Sequence, residues 1–118
     1  MEAAEFLRQH PQLAQHGVLL NTYELGDYLI WALHPRFRVM VASHAHLIPP
    51  DVWQDYIAIS QRRPGWPARI EKYNLRVAVL NTRRHRQVIR DLVNEHRWQI
   101  AFRGRSASVV IHPDVTWP

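Results

Sequence analysis

The chain has 118 residues, with 15 basic side chains against 10 acidic ones and a formal net charge of +5 at pH 7. This length suits one domain, and the 47% of apolar residues indicates a folded core rather than disorder. The chain has no Cys and no apolar run near the roughly 18 residues of a membrane span, which excludes disulfides, thiolate metal sites and a span within this sequence.

The first half of the chain alternates helical and strand patterns. Apolar residues at helical spacing predict a helix over 3–10, and the short apolar run over 18–20 predicts a buried strand. A second helix is expected over 23–33, because apolar residues recur there at three and four positions. The apolar run over 37–42 then predicts the second strand.

The second half continues the alternation and closes with a hairpin. The predicted elements, in chain order, are helices over 51–60 and 66–73, a strand over 75–80, a long helix over 83–96, and strands over 98–103 and 107–112. The last two strands are joined by a short connection containing Gly104, which favours an antiparallel hairpin.

Strands separated by helices indicate an α/β fold, because parallel strands need helical crossovers. We expect a Rossmann-like three-layer α/β/α sandwich with a mostly parallel sheet of about five strands. The expected strand order is second, first, third, followed by the hairpin. Residues 1–112 are predicted to form a single domain, and 113–118 a frayed C-terminal tail.

Ligands of open parallel sheets bind beyond the carboxyl ends of the strands. This rule predicts a crevice lined by polar residues that follow the first three strands. They are Asn21, Thr22 and Tyr23 after the first strand, Ser43, His44 and His46 after the second, and Asn81 and Thr82 after the third.

His44 and His46 are weak candidates for a metal site. In an extended segment, side chains two residues apart point to the same side, so both imidazoles can reach one ion. A site would need a third ligand such as Asp27, Glu24 or Asp51. Two loop histidines near solvent are the preferred explanation of the pair, and no metal or other cofactor is expected.

An arginine run forms a candidate anion-binding site: Arg83, Arg84 and Arg86, with Arg90 one turn further. Basic residues at a helix N-terminus oppose the helix dipole, whereas a bound phosphate or carboxylate would be favoured there by free N–H groups and guanidinium forks. The alternative is a solvated basic face. Because no phosphate-binding loop or nucleophile elbow is present, the chain alone is not expected to be an enzyme.

Residues 21–31, NTYELGDYLIW, carry a family resemblance. They resemble the N-x-Y-x-x-G-G-Y-L-I-W segment in the C-terminal soluble domain of bacterial multi-spanning membrane proteins related to lipid-linked-sugar glycosyltransferases of the mannosyltransferase and oligosaccharyltransferase type. The order of elements over 6–112 is also similar. In that family a D-G-R-x-D motif follows the next strand, and its polar positions are occupied here by Ala42, His44 and His46.

The resemblance implies a non-catalytic accessory domain on the extracytoplasmic side of a membrane. Its partner would be the membrane-embedded part of a parent protein or an anionic lipid surface, which attracts each nearby basic residue by about 1 kcal/mol. The domain would bind an anionic group such as a lipid-linked sugar phosphate. The replaced motif implies that any function of those polar positions is lost or changed.

Two other functions stay open. Arg supplies 14 of the 15 basic side chains, and this excess together with the net positive charge suits a small cytoplasmic nucleic-acid-binding protein. However, no recognition helix, zinc finger or RNA-binding signature is present. A metal-dependent hydrolase centred on His44 and His46 is the third interpretation. The oligomeric state is not indicated by the sequence.

Overall fold

A four-stranded sheet forms the centre of the protein, whose computed structural model describes residues 1–43 and 48–117. Its strands, in chain order, are β1 (Leu20–Asn21), β2 (Val77–Asn81), β3 (Gln99–Arg103) and β4 (Ala107–Ile111). Their order across the sheet is β1-β2-β4-β3. Strands β1 and β2 run parallel, whereas β4 is antiparallel to both β2 and β3. The predicted α/β class is therefore confirmed, with a mixed sheet.

Five α-helices and two short 3-10 helices accompany the sheet within the described residues. The α-helices are α1 (Glu2–Gln9), α2 (Gly26–Leu33), α3 (Pro50–Ser60), α4 (Trp66–Lys72) and α5 (Arg86–His96), and the 3-10 helices are Pro11–His16 and Tyr23–Leu25. Proline starts α3 and lies in the first turn of α4, where the missing N–H has no helical partner to lose. No helix in this part of the chain has the length and apolar character that crossing a membrane requires.

The side chains of β2 enter two separate apolar clusters. Val77 and Val79 join a cluster with buried residues of α1 and α2, whereas Ala78 and Leu80 join one with buried residues of α3, α4 and α5. Successive side chains of a strand point to opposite faces, so the two clusters lie on opposite faces of β2. This arrangement explains why the strand is apolar along nearly its whole length.

The prediction of a strand over 37–42 is wrong. This segment meets the sheet through one parallel bridge, between Val39 and Leu19. Beyond the bridge, the side chain of Asn21 binds the main chain of Met40 and Val41 in place of a continued strand ladder. The sheet of the described residues therefore has four strands rather than about five, and it is mostly antiparallel rather than mostly parallel.

Two other boundaries differ from expectation. The predicted helix over 83–96 begins at Arg86, because the preceding residues form a turn held by Asn81. The expected frayed tail is ordered over 113–117: Val115 is buried, and the Trp117 ring lies 5.6 Å from the ring of Phe6 between centroids. The tail therefore extends the apolar cluster that contains α1.

Candidate functional site

The carboxyl ends of β1 and β2 lie side by side, which brings together part of the predicted crevice. The backbone N–H of Thr22 donates to the Val79 carbonyl at 3.1 Å, and the N–H of Asn81 donates to Thr22 Oγ1 at 2.8 Å. Most of the polar side chains gathered there form hydrogen bonds with other groups of the protein.

Asn21 is fully buried, and its amide is saturated. Its Nδ2 donates to the carbonyls of Thr22 and Val41 at 3.0 and 2.8 Å, and its Oδ1 accepts from Met40 and Val41 at 2.9 and 3.2 Å. An amide has two donors and one oxygen acceptor, so nothing is left for a ligand. Asn21 therefore holds the chain and does not line an accessible crevice.

His85 is buried between two hydroxyl groups, and sequence reasoning did not single it out as a site residue. Its Nδ1 lies 2.7 Å from Thr22 Oγ1, and its Nε2 lies 3.1 Å from Ser60 Oγ. Burial lowers the pKa of His85, and the positive charge of Arg84 lowers it further. The imidazole is thus kept neutral in the folded protein.

Both ring nitrogens of His85 have a hydroxyl partner within the protein. Thr22 Oγ1 accepts the N–H of Asn81 and still has one acceptor lone pair and one hydroxyl proton for His85 Nδ1. Ser60 Oγ, which can likewise donate or accept, is the partner of Nε2. The trio therefore joins β1, α3 and the turn before α5 as a structural link.

Tyr23 and Ser43 have separate environments near this region. The Tyr23 ring packs 5.2 Å from that of Trp53, and its backbone N–H donates to the Tyr56 hydroxyl at 2.8 Å. Ser43 is exposed, and its N–H donates to Asp27 Oδ1 at 3.0 Å.

The metal hypothesis has no support in the described chain. His44 and His46 lie outside the described residues. Among residues 1–43 and 48–117, no group of three or more potential metal-ligating His, Asp or Glu side chains occurs.

Asn81 and Thr82 stabilise turns. Asn81 Oδ1 accepts the N–H groups of Arg83 and Arg84 at 3.1 and 2.8 Å. Thr82 Oγ1 donates to the Gly104 carbonyl at 2.8 Å and lies 2.8 Å from Ser108 Oγ. The N–H groups of Arg83 and Arg84 are therefore already bonded within this turn.

The predicted arginine cluster is divided between two places. Arg84 binds Glu24 Oε1 at 2.5 Å on the surface beside β1. Arg86 and Arg90 instead line a groove of about 300 Å³ between α5 and β3, where Arg103 of β3 joins them. We call this the α5–β3 groove; its lining residues are Thr82, Arg86, Ile89, Arg90, Val93, Asn94, Ile100 and Arg103.

A β-bulge explains how Arg103 reaches the groove. The pairing of β3 with β4 shifts register between Ile100 and Phe102. Ile100 therefore packs with the α5 cluster while Ala101 and Phe102 both pack with the α1 cluster, and Arg103 returns to the α5 side. Strict alternation would have placed Arg103 on the other face, which is why sequence reasoning missed it.

The groove is strongly cationic. Arg86 and Arg103 form no ion pair with any carboxylate of the described residues, and the groove lining contains no Asp or Glu. Arg90 Nε lies 3.6 Å from Asp91 Oδ1, but Asp91 also binds Arg62 at 2.7 Å. The hydrogen bond from Arg62 lowers the pKa of Asp91.

A second cavity of about 290 Å³ lies between α4 and α5, and two of its lining residues, Glu71 and His112, contact each other. His112 Nε2 lies 3.1 Å from Glu71 Oε1, and Nδ1 accepts the N–H of Asp114 at 2.9 Å. Burial opposes the charge on Glu71, but hydrogen bonds from His112 and Arg76 outweigh it and lower the pKa. This pattern indicates a structural contact.

Comparison of the chain with known protein families, curated proteins and solved structures found no match.

Proposed function

We propose that this domain binds a small anion, bearing phosphate or carboxylate, in the α5–β3 groove. The observation that carries the proposal is the convergence of Arg86, Arg90 and Arg103 from a helix and a strand on one concavity without a carboxylate in its lining. Guanidinium groups prefer bidentate contact with carboxylate and phosphate oxygens. Arg86 and Arg103 have no carboxylate partner among the described residues, and Arg90 shares Asp91 with Arg62, so the three like charges repel one another and a bound anion relieves that repulsion.

The proposed role is binding rather than catalysis. The groove lining includes no His, Asp, Glu, Lys or Tyr that could transfer a proton. Its one hydroxyl, on Thr82, already donates to the Gly104 carbonyl. The buried His85 is neutral and bonded on both ring nitrogens. These contacts favour a module that holds an anionic group for another protein or domain to use.

The family resemblance of residues 21–31 suggests one setting for such a module. In that proposal the chain is an extracytoplasmic accessory domain of a membrane glycosyltransferase-like protein, and the anion is a lipid-linked sugar phosphate. Asn21 and Gly26 of this segment both contact the main chain at 41. They therefore have structural roles, and the resemblance in this segment bears more on the fold than on the ligand.

Isothermal titration calorimetry with inorganic pyrophosphate at low salt tests the binding proposal. The wild-type chain should give one saturable event. Arg103→Gln and Arg86→Gln should each weaken binding about tenfold or more, because a hydrogen bond to a charged group is worth roughly 1.5–3 kcal/mol. Arg105→Gln is the matched control, since Arg105 is an exposed arginine of the adjacent turn outside the groove. Equal losses in all three variants, or no wild-type binding, would reject the proposal.

We also propose that the sheet and its flanking helices form a three-layer arrangement. A Rossmann-like α/β/α sandwich is supported by the two apolar clusters, which bring helices against both faces of β2. Among the described residues, parallel pairing joins β1 to β2 and Leu19 to Val39, so the likeness concerns that part of the sheet.

A further inference from the structure

The α5–β3 groove has an apolar base beneath its arginines. Ile89 is buried, with 6% of its surface exposed, and Val93 and Ile100 are half-buried beside it. Arg86, Arg90 and Arg103 are exposed and lie at the opening. A ligand that fills the groove must therefore offer an anion to the opening and an apolar surface to the base.

We infer that the ligand is a compact organic phosphate monoester, with its phosphate among Arg86, Arg90 and Arg103 and its organic body on Ile89, Val93 and Ile100. The inference rests on the proposed anion-binding function and specifies its ligand. A phosphate monoester carries a charge near −2 at neutral pH and three acceptor oxygens, which suits three guanidinium groups better than a single carboxylate.

The polar neighbour of the apolar base is Asn94. Its amide forms no hydrogen bond with any other described residue, and it is exposed beside the groove. An amide both donates and accepts, so it can bond to a hydroxyl or an ester oxygen of the organic body. Inorganic phosphate would use neither this amide nor the apolar base.

The size of the groove favours a small molecule over a polymer. At about 300 Å³ it lies at the low end of the range of ligand sites. A nucleic acid would need a longer cationic track, because its affinity comes from neutralising many phosphates in a row. Arg62 and Arg84 do not line the groove, and both are already bound, to Asp91 and Glu24 respectively.

Titration calorimetry with three probes tests this inference: inorganic phosphate, phenyl phosphate and benzoate. Phenyl phosphate should bind about tenfold more tightly than inorganic phosphate, because its ring removes apolar surface from water. Benzoate, which has the ring but one negative charge, should bind more weakly than phenyl phosphate.

Two isosteric variants test whether the tighter binding of phenyl phosphate comes from the apolar base of the groove. Val93→Thr should weaken phenyl phosphate severalfold and leave inorganic phosphate unchanged, because only the ring contacts Val93. Val52→Thr, at a half-buried valine of α3 outside the groove, is the control and should change neither affinity.

Three results would overturn the inference. Equal affinities for inorganic phosphate and phenyl phosphate would show that the organic body does not contribute to binding, and the proposed anion binding would still stand. An absence of binding by either phosphate or benzoate would reject the proposed function as well. If a single-stranded oligonucleotide bound more tightly than phenyl phosphate and its affinity fell steeply with salt, the ligand would be a polymer rather than a small molecule.

Discussion

The amide of Asn21 binds the main chain of Val41 in both directions: Nδ2 donates to the Val41 carbonyl at 2.8 Å, and Oδ1 accepts the Val41 N–H at 3.2 Å. The Asn21 side chain thus forms the main-chain hydrogen bonds that a neighbouring strand would otherwise form. This contact explains why the apolar run over 37–42 pairs with the strand region at Leu19 through only one bridge, at Val39. The contact also fixes the chain immediately before the undescribed residues 44–47.

Replacing Asn21 with alanine should lower the free energy of unfolding by about 2–4 kcal/mol. The change leaves the N–H and carbonyl of Val41 buried without partners, and each such group costs roughly 1–3 kcal/mol. Urea denaturation followed by far-UV circular dichroism measures the loss. Asn94→Ala removes an exposed amide and should leave stability unchanged or slightly raised; if Asn21→Ala behaved in the same way, the Val41 contact would be refuted.

Gly26, the first residue of α2, offers a test in which two effects have opposite signs. Alanine is the better helix former by about 1 kcal/mol, so propensity alone predicts a gain in stability. However, a Cβ at Gly26 would lie 2.2 Å from the Val41 carbonyl oxygen and 2.8 Å from the Ala42 Cα. We expect Gly26→Ala to lower the melting temperature because the backbone must move.

Ala32→Gly in the same helix calibrates the propensity effect, and it should also lower the melting temperature. A higher melting temperature for Gly26→Ala would mean that the segment at 41–42 does not pack against the start of α2.

The sequence predicted those elements whose pattern is local. Helical spacing predicts an inward stripe on α5 of Val88, Ile89, Leu92 and Val93; the first three are buried and Val93 is half-buried. The predicted hairpin forms around Gly104. Apolar composition could not reveal that residues 37–42 follow β1 for one bridge only, because that outcome depends on a side chain twenty positions away.

The candidate site was predictable only in part, for a similar reason. Arg86 and Arg90 lie four apart and share a helix face, as expected. Arg84 does not line the groove, because it binds Glu24 instead. Arg103 does line it, because the bulge in β3 turns its side chain toward α5. Neither an ion pair across the fold nor a register shift of one residue is visible in local spacing.

His85 should make stability depend on pH below neutrality. Its pKa is lowered in the folded state by burial and then by Arg84, relative to the ordinary value of 6.5 for histidine. Above pH 6.5 both folded and unfolded states are neutral at this residue, and its contribution is fully present. As the pH falls below 6.5 the unfolded chain binds a proton that the folded chain resists, so stability is lost, with a limiting slope of about 1.4 kcal/mol per pH unit.

Urea titrations at pH 7.5 and pH 5.5 measure this loss. His85→Gln should flatten the difference between the two pH values, whereas His34→Gln, at an exposed histidine, should retain it. An undiminished pH difference in His85→Gln would assign the effect to other groups.

Two-dimensional NMR of the arginine Nε–H groups during a titration with inorganic pyrophosphate tests the central claim most directly. The account predicts that the signals of Arg86, Arg90 and Arg103 shift together and saturate with one affinity, while Arg105 stays in place. Non-saturating shifts of similar size at all exposed arginines, or saturating shifts confined to Arg83 and Arg84, would contradict a binding site between α5 and β3.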